Sequence, residues 1–114
     1  MDCLFCGIVS GAIPARKIFE DDQVIAFHDI HPQAPVHILV LPKRHIVSLA
    51  HLEAAGEDPA LMGHLFAVTS ELARALKLDH GCRTVINTGP DGGQTVDHLH
   101  IHLLGGRPMT WPPG

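Results

Sequence analysis

The chain has 114 residues, enough for one domain with a real hydrophobic core. Its 46% apolar and 18% charged residues exclude intrinsic disorder, and no apolar run approaches the ~20 residues of a membrane span. A formal charge of −4 with no Lys/Arg run argues against a nucleic-acid partner, and no membrane partner is expected.

No basic region precedes an apolar segment at Met1-Asp2-Cys3, so no secretory signal is expected and a cytoplasmic setting is. Three cysteines, an odd count, argue for metal or reduced thiols over a disulfide framework. Ten histidines are the outstanding feature of the composition. They are spread along the chain, unlike a tag, and three of them alternate.

In chain order, Cys3–Val9 reads as a short helix ended by Gly11 and Pro14. Strands follow at Arg16–Glu20 and Val24–His28, with Asp21-Asp22 as the turn. His31–Pro35 holds two prolines three apart and is a loop. Val36–Leu41 is β-rich and stops at Pro42. Asp58-Pro59 marks a helix start, a cap acceptor followed by proline at the first helical position. Leu61, Leu65, Val68, Leu72 and Leu76 then form one apolar face, with Lys77 in the last turn and Gly81 just beyond. Arg83–Asn87 is a strand, Thr88–Gly93 a loop, and Val96–Leu104 the last strand. There is no internal repeat and no linker, so residues 1–114 read as one α+β domain: an antiparallel sheet with one long and one short helix.

On an extended last strand, His98, His100 and His102 share one face, while Leu99, Ile101 and Leu103 point into the core. Neighbouring backbones on that face lie about 6–7 Å apart. Three readings are open. The row could be the polar face of a half-exposed sheet. It could be a three-histidine metal site, although the span of roughly 13 Å is long for bonds of about 2 Å. Or it could do imidazole chemistry without a metal at the reacting centre, since imidazole is nucleophilic and titrates near neutral pH. Cys3-x-x-Cys6 likewise reads as a redox motif, a metal half-site or two ordinary residues; the βαβ context of a redox motif is missing. Cys82, at a strand start, reads as a small core residue.

His98-x-His100-x-His102 followed by two apolar residues resembles the signature of the histidine triad family of nucleotide hydrolases and transferases. The match extends through Cys3-Leu4-Phe5-Cys6, Phe27-His28-Asp29-Ile30, Pro32–His37, Pro42–His45, Asn87, Asp91–Gln94, Leu104–Arg107 and Trp111–Gly114. The Gly-Gly-Gln loop and the ending resemble the Hint branch (histidine triad nucleotide-binding protein). His102 stands where the uridylyltransferase branch usually has Gln.

The resemblance implies a five-stranded sheet that dimerises into a ten-stranded one, with Trp111 and the Pro-rich tail reaching the partner. It implies that His100 attacks the α-phosphorus of a purine nucleoside phosphoramidate and forms a nucleotidyl-histidine that water cleaves to the nucleoside 5′-monophosphate. His102 would handle charge and protons at the phosphate, and Thr95 would stand by the leaving group. Gly93, Gln94, Val96 and Asn87 would surround the α-phosphate. Asp29 would accept from the ribose hydroxyls. Leu4, Phe5, Ile8, Phe27, His28, Ile30 and Leu39 would form the purine slot. His37 could hold one triad ring in its tautomer.

Relatives carrying this Cys pair use the positions of His45 and His98 as well, so the resemblance implies a structural zinc on Cys3, Cys6, His45 and His98. The chemistry itself would need no metal. Asp97 stands where many relatives have an aromatic residue. On an extended strand it would face away from His98, with little expected effect on chemistry beyond the dimer contact or a substrate's flank. The alternatives are a dinucleoside-polyphosphate hydrolase and a non-catalytic zinc- and nucleotide-binding module.

Overall fold

Alternating apolar residues in neighbouring strands build a sheet whose two faces do different work. The computed structural model describes residues 3–53, 55–56 and 59–114. Its elements are helix α1 (Leu4–Ser10), strands β1 (Lys17–Glu20), β2 (Val24–His28) and β3 (Val36–Pro42), helix α2 (Pro59–Ala75), and strands β4 (Cys82–Val85) and β5 (Ile101–Gly105), with one short 3₁₀ turn at Leu49–His51. The strands form one antiparallel sheet in the order β1-β2-β3-β5-β4, the α+β architecture expected.

On one face Val24, Ala26, Ile38, Val40, Leu99, Ile101 and Leu103 bury against Leu61, Leu65, Val68 and Leu72 of α2. On the other, Ile25, Phe27, Leu39 and Leu41 bury against Phe5 and Ile8 of α1. A helix of seven residues cannot cover a whole sheet face, and the uncovered part carries the histidines. Among the described residues no helix is long and apolar enough to cross a membrane.

Several expectations shift. Cys3 caps α1 instead of belonging to it: its Sγ accepts from the Cys6 N–H at 3.3 Å. Gly11 ends the helix with φ +85°, a conformation that glycine adopts without steric cost. β4 is displaced by one residue and ends at Val85, and Cys82 is exposed on this edge strand, not packed in the core.

The largest difference concerns the last strand, which begins only at Ile101. β3 and β5 pair as far as Val40 opposite Ile101. Extending the ladder would bring Pro42 opposite Leu99, and proline has no N–H to donate. The chain bends instead. The His98 N–H bonds Val96 O at 2.8 Å, and the Leu99 N–H bonds Ile46 O at 2.6 Å. His98 and His100 therefore precede the strand, and only His102 lies on it.

The expected cap Asp58 lies outside the described residues; Pro59 is the first residue of α2, as proposed. At its other end α2 stops well before Gly81. The Leu78 N–H bonds Ala73 O and the Lys77 N–H bonds Arg74 O, each at 3.0 Å. This pair of bonds is the Schellman motif, in which the turning residue is left-handed and most often glycine. Here it is Lys77, with φ +57°. A side chain in that region costs about 1–2 kcal/mol, partly offset by the larger backbone entropy glycine loses on folding. Lys77→Gly should therefore stabilise the fold by about 0.5–1 kcal/mol, read as a higher denaturant midpoint at unchanged slope. A lower midpoint would show that Lys77 is not strained.

Candidate functional site

The bend before β5 turns an alternating sequence into a packed row of rings. His98 is fully buried, and its Nε2 donates to the Pro42 carbonyl at 2.8 Å. A carbonyl can only accept, so the proton sits on Nε2 and Nδ1 keeps its lone pair. His100, 5% exposed, has its Nδ1 at 2.6 Å from the carbonyl of His98. Its proton must be on Nδ1, which leaves Nε2 as a free base. Phe5 holds both rings edge-on, at centroid distances of 5.9 Å from His98 and 5.1 Å from His100.

His102 follows, its ring 4.9 Å from that of His100. His37 sits diagonally across from it on β3, with Nε2 at 2.9 Å from His102 Nδ1. The backbone N–H of Gln33 donates to His37 Nδ1 at 3.0 Å, so the His37 proton is on Nε2. His37 therefore donates to His102, whose own proton is directed to its Nε2. Asp29 lies behind this pair, with Oδ2 3.4 Å from His37 Nε2 and Oδ1 accepting from the His31 N–H. The order Asp29, His37, His102, His100 thus carries one defined set of tautomers. Burial pushes the pKa of His37, His98 and His100 down. Burial, joined by the neighbouring His100 and His37, pushes His102 down to about 4.

The loop between β4 and the row is braced from inside. Gln94 donates to Val47 O at 2.7 Å and Val96 O at 3.0 Å, while its Oε1 accepts from the Gly89 N–H at 3.0 Å. Asn87 Nδ2 donates to Gly92 O at 2.7 Å. A Cβ on Gly92 would lie 2.3 Å from Thr88 O, so this position admits no side chain. Gly93 has φ +75°. Thr95 is exposed beyond the brace, and Val96 packs on the α1 cluster.

Of the proposed purine slot, Phe5, Ile8, Phe27 and Leu39 gather in that cluster, and Leu4 is 47% exposed at its edge. His28 lies opposite Ile38 in register, which by alternation puts it on the α2 face, and Ile30 is 83% exposed. Neither side chain joins the cluster.

Cys3, Cys6, His45 and His98 meet at the N-terminus of α1, with one ligand atom from each all within 4.8 Å of one another. His98 Nδ1 lies 3.4 Å from Cys3 Sγ, 3.6 Å from Cys6 Sγ and 3.3 Å from His45 Nδ1, and Cys6 Sγ lies 3.3 Å from His45 Nδ1. A tetrahedral zinc, with bonds of about 2.0–2.1 Å to nitrogen and 2.3 Å to sulfur, sets N–N edges near 3.4 Å and N–S edges near 3.6 Å. The donor set fits such an ion in size and chemistry. Burial, then the hydrogen bond and charge of Cys3, push the Cys6 thiol up to about 11, a proton that a metal would displace.

Sequence reasoning did not find Pro42 or Gln33, which act through main-chain groups that no side-chain motif announces. Gly92 was visible only as one glycine of a pair.

A family model described as the HIT domain matches residues 10–109. A HIT-like protein of Synechococcus elongatus is 57% identical over 113 residues, 99% of this chain and 97% of the relative. Among solved structures, a HIT family hydrolase of Legionella pneumophila is 47% identical with a TM-score of 0.94, covering 99% of this chain and 100% of its own. A histidine triad nucleotide-binding protein of Candida albicans is 31% identical (TM-score 0.82; 97% and 83% covered). A zinc-bound histidine triad family protein of Mycobacterium smegmatis is 38% identical (TM-score 0.82; 94% and 76% covered).

The depressed pKa of His102 has a definite sign. A histidine at about 4 when folded and about 6.5 when unfolded binds fewer protons in the native state, so stability is lost as pH falls from 6.5 through 4. The ¹⁵N resonances of His102 should report a neutral ring at pH 6 with a midpoint near 4, and the unfolding free energy should drop over the same interval. A His102 midpoint above 6 would contradict the desolvated row.

Proposed function

The chain belongs to the HIT domain family, and on that premise we propose that it hydrolyses purine nucleoside 5′-phosphoramidates, with His100 as the nucleophile. The observation that carries this reading is the 2.6 Å bond from His100 Nδ1 to the His98 carbonyl. It leaves Nε2 deprotonated and free, beside a second ring whose proton is available. Hydrolase and nucleotide-binding relatives of the same fold support it.

In the proposed reaction His100 Nε2 attacks the α-phosphorus and the phosphorus–nitrogen bond breaks. The nitrogen takes a proton from solvent, relayed by the exposed Thr95 hydroxyl, which donates to the nitrogen as it accepts from water, and departs as an amine. The intermediate is a nucleotidyl group on Nε2 of an imidazolium, and its Nδ1–H stays bonded to the His98 carbonyl. Water then attacks phosphorus, loses a proton to the surrounding imidazoles, and releases the nucleoside monophosphate and the free ring. Splitting one displacement into two lowers each barrier. His102, held by His37 and Asp29, would present its Nε2–H to a phosphate oxygen. Loop amides around Gly93 would stabilise the developing charge. Gln94 and Asn87 would shape that loop through their internal bonds.

Phe5, Ile8, Phe27 and Leu39 would hold the purine, with Leu4 and Ile30 at its rim. The Asp29 carboxylate would accept from the ribose, and His28 would take part through its backbone. The whole of residues 1–114 forms one histidine triad domain in this reading, of the Hint type, working in the cytoplasm. Strand β4 is an exposed sheet edge, and pairing it with a second copy would give a ten-stranded dimer with the 84% exposed Trp111 free to reach across.

The second part of the proposal is a structural zinc on Cys3, Cys6, His45 and His98, supported by the donor geometry and the zinc-bound relative. It would tie α1 to the segment preceding β5 and keep His98 out of proton transfer.

His100→Ala should reduce turnover of an adenosine phosphoramidate by about a thousandfold or more while AMP affinity stays within about threefold. Retained turnover would refute the nucleophile. Elemental analysis of untagged protein with reduced thiols should find about one zinc per chain, and Cys3→Ser should lose most of it. Less than a tenth of an ion in the unsubstituted protein would refute the site.

A further inference from the structure

An open pocket of about 690 Å³ lies beside the histidine row, lined by Cys3, His45, Val47, Thr95, Val96 and Asp97, with Leu4 at its edge. Cys3 and Val96 pack on the cluster that contains Phe5, and the Phe5 ring is the one that meets His100 at 5.1 Å. Thr95, placed above next to the leaving nitrogen, opens directly into it.

Among the described residues, Asp97 brings the pocket its only carboxylate. An extended strand would have carried this side chain to the face opposite His98. The bend at residues 96–98 brings it to the same wall as Cys3, His45 and Thr95. The Asp97 side chain is exposed and makes no hydrogen bond or ion pair among the described residues. Among the described residues no Lys or Arg lines the pocket; Cys3 and His45 of the proposed zinc site form one wall, and Leu4, Val47 and Val96 the rest. Apolar walls suit methylene groups, and an unpaired carboxylate suits a cation beyond them.

We propose that Asp97 is a specificity-determining residue that selects leaving amines bearing a second, positively charged nitrogen on an alkyl chain. The assignment rests on the phosphoramidase reading and deepens it by naming the class of leaving group. In the Michaelis complex the phosphoramidate nitrogen lies by Thr95, the methylenes run along Leu4, Val47 and Val96, and the distal ammonium meets the Asp97 carboxylate. The chemical step is unchanged, and the amine departs with its second charge intact. An exposed pair of this kind is worth a few-fold in rate at low salt and less as salt screens it.

The test compares two adenosine 5′-phosphoramidates with alkyl chains of equal length, one ending in an ammonium group and one in a methyl group. kcat/KM is measured for both with the full chain. The unsubstituted protein should prefer the cationic compound by about three- to fivefold at low salt, with the preference shrinking in 0.5 M salt. Asp97→Asn should bring the ratio to about one, Asp97→Lys should invert it, and Asp97→Glu should keep it. The ratio is taken within each variant, so any general loss of fold or metal cancels. An equal rate on both compounds, or a ratio that Asp97→Asn does not move, overturns the role of Asp97 and leaves the phosphoramidase reading standing. Hydrolysis of neither compound overturns both.

Discussion

Nothing in the histidine row works unless the protons sit on particular nitrogens, and main-chain groups put them there. The Pro42 carbonyl takes the Nε2–H of His98, the His98 carbonyl takes the Nδ1–H of His100, and the Gln33 amide gives its proton to His37 Nδ1. Each backbone partner has a single possible role, donor or acceptor, so each ring has a single neutral tautomer consistent with its bonds. A row of solvated imidazoles would exchange tautomers freely. Here the selection follows from the fold, and desolvation keeps the rings uncharged, since a buried charge without a partner is costly.

The same constraint links the two candidate sites. His98 turns Nδ1 toward Cys3, Cys6 and His45 because Nε2 is committed to Pro42, and its carbonyl orients His100. One residue thereby belongs to the Cys/His cluster through its side chain and to the histidine row through its backbone. Anything that tightens the segment before β5 also tightens the position of His100. Phe5 adds a mechanical link, touching His98, His100 and Phe27 edge-on from α1. The short helix contributes little area, but it packs where the sheet would otherwise expose three aromatic rings.

The division of the sheet into two faces makes this arrangement affordable in stability terms. The α2 face is continuous apolar packing from β2 to β5, and it carries the helix with the longest apolar stripe. The α1 face is smaller and includes buried imidazoles, and among the described residues every fully buried side-chain nitrogen or oxygen has a hydrogen-bond partner, while His100 Nε2 is left free. Desolvated rings with satisfied polar atoms can remain buried without the penalty of an orphaned donor.

Much of this could be read from the amino acids alone. The short apolar, β-rich runs at residues 24–27 and 38–41 and the 3.6-period stripe from Leu61 to Leu72 determined strands, helix and core, because short runs of this kind can be buried on both sheet faces while the stripe buries one helix face. The alternation of His98, His100 and His102 marked the candidate row, since their residue type and spacing are local properties. Other features are contacts between residues distant in sequence. The end of α2 at a left-handed Lys77 depended on local hydrogen bonds that its side chain does not signal. The late start of β5 depended on Pro42, almost 60 positions away, having no N–H for the ladder. That bend is also what carried Asp97 to the pocket wall. The meeting of Cys3 and Cys6 with His45 and His98, and the tautomer of every ring, were likewise decided by the tertiary structure, because they depend on which main-chain and side-chain atoms the folded chain brings within hydrogen-bonding reach.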